Sequence, residues 1–77
     1  MDHLRWKVGA GQETRDLLYQ LAEKSREAEW TIERIVRDIE SKREYSMGLP
    51  NILKKGKSVA KDLHRLNFMA FNEASGR

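Results

Sequence analysis

The sequence has no cysteine, a single proline, two each of tryptophan, tyrosine and phenylalanine, and no long apolar run among its 77 residues. Without cysteine there can be no disulfide framework, thiol nucleophile or cysteine-ligated zinc, a composition compatible with a reducing compartment. No stretch approaches the ~18 apolar residues of a membrane span, and Met1-Asp2-His3-Leu4-Arg5-Trp6 lacks a signal peptide's apolar core. A soluble, unexported chain with no membrane partner is expected. His3 and His64 fall in different segments, no glycine-rich loop follows a strand, and no acid and base recur at a motif spacing. The reading is therefore not an enzyme, with no cofactor and no metal.

What the chain does have is charge. Fifteen basic and twelve acidic residues make up 35% of it, yet the net charge is only +3, so any basic character must come from sorting charges onto faces. A single domain this short hides only about 60% of its unfolded surface and has no staple, which points to self-association.

Residues 1–11, ending Val8-Gly9-Ala10-Gly11, show no periodicity and read as a flexible N-terminal arm; residues 12–77 read as one helical domain. From Gln12 to Ser46 there is neither proline nor glycine, and Leu, Ile, Glu, Lys and Arg dominate, which predicts helix. Met47-Gly48-Leu49-Pro50 supplies a helix-ending glycine and a helix-starting proline, and a further helix is predicted from about Pro50 to Asn72. Leu17, Leu21, Ser25, Ala28, Ile32, Ile35 and Ile39 step by three or four without a phase slip, so one long helix is permitted. Such a helix must either break, and Ser25–Glu29 is the weakest part of the stripe, or pair.

Opposite that stripe, Trp30, Arg34, Arg37 and Ser41 form an outward row. In the last helix Ile52, Gly56, Val59, Ala60, Leu63, Leu66 and Ala70 form the apolar stripe, and Lys54, Lys57, Lys61 and Arg65 line the far side. Each row is either the solvated face of an amphipathic helix or an electrostatic footprint for repeated phosphates. Gly56 predicts close approach of another helix. Phe68, Met69 and Phe71 crowd more sides than a lone helix can bury, which implies a covering partner.

Several tracts resemble the RNA-binding domain of influenza-virus non-structural protein one. Glu33-Arg34-Ile35-Val36-Arg37-Asp38-Ile39-Glu40-Ser41-Lys42-Arg43 is similar to the type A second helix, while Met47-Gly48-Leu49 and Gly56-Lys57-Ser58-Val59 resemble the junction with helix 3 and its start. Leu17-Leu18-Tyr19-Gln20-Leu21 stands where helix 1 carries an apolar-aromatic cluster. Val8-Gly9-Ala10-Gly11 and the ending from Phe68-Met69 to Ala74-Ser75-Gly76 resemble the type B proteins.

The resemblance implies an all-α, three-helix protomer forming a symmetric six-helix homodimer. It further implies a viral double-stranded-RNA-binding function that sequesters duplex RNA and antagonises the host interferon response. Arg37 would be the paired groove-facing arginine, with Arg34, Ser41, Lys42, Arg43 and Ser46 on the RNA track and Lys54, Lys57 and Lys61 at its margin. Host innate-immune proteins would be further partners, in the host nucleus and cytoplasm, and the family's effector domain would be absent. Glu40 departs from the family's basic pattern, and the helix 1 to helix 2 break is missing. Two rivals stand beside this reading: a long helix that hairpins with the last helix and dimerises into a four-helix bundle, and a helical protein-interaction or oligomerisation module with no RNA binding.

Overall fold

The 36 residues from Gln12 to Met47 hold neither proline nor glycine, and the first 31 of them form one unbroken helix. In the computed structural model, which describes residues 11–76, α1 runs unbroken over Gln12–Lys42 and α2 over Leu49–Ala74. α1 opens with the Arg15 amide donating to the Gly11 carbonyl at 2.7 Å and ends at Arg43, which turns to φ 58°. Six residues connect it to α2, whose first turn carries Pro50, where a missing N–H costs nothing. The two helices fold back on one another as an antiparallel hairpin measuring 56 × 18 × 15 Å.

The seam follows a repeat of 3.5 residues. On α1 the least exposed positions are Arg15, Leu18, Ala22, Ser25, Glu29, Ile32, Val36 and Ile39, joined by Ala28 at the margin. On α2 they are Leu49, Leu53, Gly56, Ala60, Leu63, Asn67, Ala70 and Ala74, joined by Val59 and Asn72. Alternating steps of three and four keep one row of each helix facing its partner, as in a two-stranded coiled coil.

Most of the buried side chains are small: Ala22, Ser25, Ala60, Ala70 and Ala74, with Val36 the largest. Polar groups also tie the seam. Asn67 donates its side-chain amide to the Ala22 carbonyl at 2.7 Å, and the Arg15 guanidinium donates to the Ala74 carbonyl at 3.0 Å. Tyr19 meets Phe71 edge-on with ring centroids 5.7 Å apart.

This architecture overturns the three-helix protomer and the six-helix homodimer, and with them the assignment to the influenza-type RNA-binding domain. The protomer has two helices. No break occurs at Ser25–Glu29, because nothing in Lys24-Ser25-Arg26-Glu27-Ala28-Glu29-Trp30 opposes helix and Lys24 bridges Glu27 one turn on at 3.5 Å. Ser25, weak as an apolar residue, is only 4% exposed because its small side chain suits a close helix contact. The boundaries shift too: α1 stops at Lys42, short of Ser46, and α2 continues past Asn72 to Ala74. His3, Trp6 and all of the expected arm except Gly11 lie outside the described residues, as does Arg77.

Candidate functional site

Fixing the seam fixes the faces. On one side of it, equivalent rows of the two helices meet: Tyr19 contacts Phe71, and the Lys57 ammonium donates to the Glu40 carboxylate at 2.7 Å. Nearby, His64 Nδ1 lies 3.3 Å from the Glu29 carboxylate. This is a polar face, with an open groove of about 320 Å³ lined by Glu33, Val36, Arg37, Glu40, Gly56, Lys57 and Ala60.

The rows on the other side of the seam are Leu21, Ala28 and Ile35 on α1, and Ile52, Val59 and Leu66 on α2. Spacings of seven place each row along one edge of its helix, and antiparallel pairing puts both rows on the same broad face. The face is apolar and open: Leu21 is 43% exposed, Ile35 47%, Ile52 63% and Leu66 37%. Leu17 and Met69 extend its rim toward the open end of the hairpin and are also exposed. The charges bordering it are mixed, Lys24 and Asp38 on α1 with Lys55 and Asp62 on α2.

Burial explains the strength of this imbalance. A fully buried leucine or isoleucine contributes about 1.5–3 kcal/mol, and one methylene about 0.8 kcal/mol. A seam whose most buried positions are mostly alanine and serine, with Leu18, Ile32, Ile39, Leu53 and Leu63 only half-buried, therefore yields less than a core of large side chains. No large side chain among the described residues is fully buried.

The expected RNA-binding residues are scattered by the same geometry. Arg34 borders a shallow depression with Glu27, Trp30 and Thr31, on the outer edge of α1, and Trp30 is already capped by the Arg26 guanidinium 4.6 Å from its ring. Arg37 and Lys57 share the polar groove, but Lys57 is engaged by Glu40. Ser41 turns its hydroxyl back onto the Asp38 carbonyl at 2.8 Å, a bond internal to the helix. Lys42 and Ser46 line a depression beside the connection with Tyr45, Arg43 forms the helix end, and Lys54 and Lys61 are exposed on α2.

The double-stranded-RNA and interferon-antagonist reading needs both second helices side by side on a three-helix base. That base does not exist here, because the segment assigned to helix 1 is continuous with helix 2, so the reading is withdrawn. Sequence reasoning placed Leu21, Ile35, Ile52, Val59 and Leu66 in the core; the structure leaves Leu21, Ile35, Ile52 and Leu66 exposed and Val59 half-buried at the seam's margin. Ser25, Gly56, Ala60 and Ala70 were in the predicted stripes; what was missed was Ala22 and Ala74, and the 3.5-residue spacing that joins all six in one seam.

No group of three or more metal-ligating side chains occurs among the described residues, and no helix there is long and apolar enough to cross a membrane. Comparisons with protein-family models, curated proteins and solved structures find no match to this chain.

Proposed function

We propose that the chain is a helical protein-interaction module, binding rather than catalytic, whose working surface is the open face formed by Leu21, Ala28, Ile35, Ile52, Val59 and Leu66. One observation carries this reading. The hairpin buries mostly small residues in its own seam and leaves Leu21, Ile35, Ile52 and Leu66 exposed in two adjacent rows along one side of it, with Leu17 and Met69 at the rim. Contiguous apolar surface of this kind marks contact with another macromolecule, because leaving it in water forfeits burial energy at about 25 cal/mol per Å². Mixed charges at the border give a partner orientation without demanding a strongly acidic or basic one.

An apolar fluorescent dye tests the surface directly. Anilinonaphthalene sulfonate should bind the dilute chain, and Ile35→Gln or Leu66→Gln should remove most of that fluorescence. Trp30→Gln, far from the face, should remove little. Equal losses at all three positions, or no dye binding, would refute the assignment of this face.

A further inference from the structure

The face described above has a width of two helices and no occupant among the described residues. We infer that its occupant is a second copy of this chain, packed face to face so that two hairpins form an antiparallel four-helix bundle. The inference rests on the interaction reading and names its partner.

Surface area is the first argument. The hairpin is a rod of 56 × 18 × 15 Å whose open face is two helices wide, room enough for the ~800 Å² per partner that a standard interface requires.

Height along the hairpin is the second. Val36 beside Gly56 and Glu29 beside His64 set the level of one helix against the other. On that scale Ile35 is level with Val59, Ala28 with Leu66, and Asp38 with Lys55. A two-fold axis along the hairpin's length preserves height and brings α1 of each copy against α2 of the other. Ile35 then meets Val59 of the partner subunit, and the small Ala28 receives the larger Leu66 of the partner subunit. Symmetry makes each contact twice.

Charge is the third. The border carries Lys24, Lys55, Asp38 and Asp62, and the two rows themselves end in Lys42 on α1 and Glu73 on α2. With three cations and three anions the face complements itself instead of selecting an oppositely charged partner. The lengthwise axis sets Asp38 opposite Lys55 of the partner subunit. A two-fold perpendicular to the helices would instead centre near Asp62 and set it against its own copy, a like-charge contact. The lengthwise axis is therefore the arrangement assigned.

Sedimentation equilibrium of the full chain at tens of micromolar tests this. The expected mass is twice the 9.0 kDa of one chain. Ile35→Glu should weaken association at least ~100-fold, since the charge enters the interface twice. Asp38→Lys should weaken it about 10-fold, and adding Lys55→Asp should restore it to within about 3-fold. Trp30→Gln should leave it unchanged. A monomer at these concentrations, or a dimer indifferent to Ile35→Glu, overturns the inference. A monomer whose face still binds dye refutes the second copy alone, whereas a monomer without dye binding refutes the interaction reading as well. Should Ile35→Glu fail to fold, the charge pair decides: no rescue by Lys55→Asp overturns the arrangement.

Discussion

Val36 packs directly against Gly56 across the seam: a β-carbon added to Gly56 would lie 3.0 Å from Val36 Cγ2. Two effects oppose each other at this point. Alanine in place of an interior helical glycine is favourable by about 1 kcal/mol, while a β-carbon at that distance forces the stiff, buried valine to shift. Gly56→Ala alone should therefore change stability by less than about 1 kcal/mol. In a Val36→Ala background the clash vanishes, and the same substitution should stabilise by about 0.5–1 kcal/mol. Gly56→Leu should cost about 1–3 kcal/mol by overpacking. Urea unfolding of the four members of the cycle measures the coupling, and strict additivity would show that the two side chains do not press on one another.

Asn67 supplies the second test of the seam. Its amide reaches across to the Ala22 carbonyl at 2.7 Å, in a part-buried position where a polar group also fixes register. The carbonyl keeps its own helical partner, so Asn67→Ala removes a bond without orphaning an acceptor. A loss of about 1 kcal/mol is expected, equivalent to roughly 4–8 °C in melting temperature for a chain of this size. An unchanged melting temperature would remove Asn67 from the set of register-fixing groups.

The readable parts of the sequence were those with local causes. Pro50 marks the start of α2 because its fixed backbone suits a first helical turn, and the structure starts α2 at Leu49. Gly48, expected to end the first helix, does not, since α1 ends at Lys42 with Arg43 as its left-handed cap and Gly48 takes an ordinary φ of −86°. Gly56 predicted a close approach and has one, against Val36. What could not be read locally was the choice between two overlapping stripes on each helix. Leu17, Leu21 and Ile35 form a more apolar stripe than Leu18, Ala22 and Val36, yet the second faces α2, because close antiparallel packing favours small volume over maximal hydrophobicity. Ser25 misled for the same reason, looking like a gap when scored by hydrophobicity and serving as a contact when measured by size. The charged rows were legible as outward-facing, but nothing local indicates that Glu40 reaches Lys57, 17 residues away, at 2.7 Å.

The arginine row should prove separable from the apolar face. Arg34 and Arg37 are exposed on the side of α1 away from Leu21 and Ile35. Arg34→Ala and Arg37→Ala, singly and together, should leave the helical circular dichroism, the melting temperature and the sedimentation behaviour essentially unchanged, since exposed substitutions usually stay within about 0.5 kcal/mol. Lys57→Ala should behave similarly despite its short contact with Glu40, because an exposed pair contributes only about 0–1 kcal/mol. A large loss of association at Arg37 would move the interface to the polar groove.

Among the described residues Arg43 is the non-glycine residue that takes a left-handed conformation, φ 58° and ψ 25°, where it ends α1 and donates its amide to the Glu40 carbonyl at 3.3 Å. A β-carbon in that conformation costs about 1–2 kcal/mol, and glycine avoids the cost. Against this, the cationic side chain lies near the negative end of the helix dipole, where it contributes about 0.3–1 kcal/mol, and glycine would lose that and gain freedom in the unfolded chain. Backbone relief is the larger effect, so Arg43→Gly should stabilise by about 0.5 kcal/mol. Arg43→Val keeps the β-carbon, adds branching and removes the charge, and it should destabilise by about 1 kcal/mol or more. Urea midpoints at constant slope give both signs in one experiment. A glycine variant less stable than the parent would show that the charge, and not the backbone, governs this helix end.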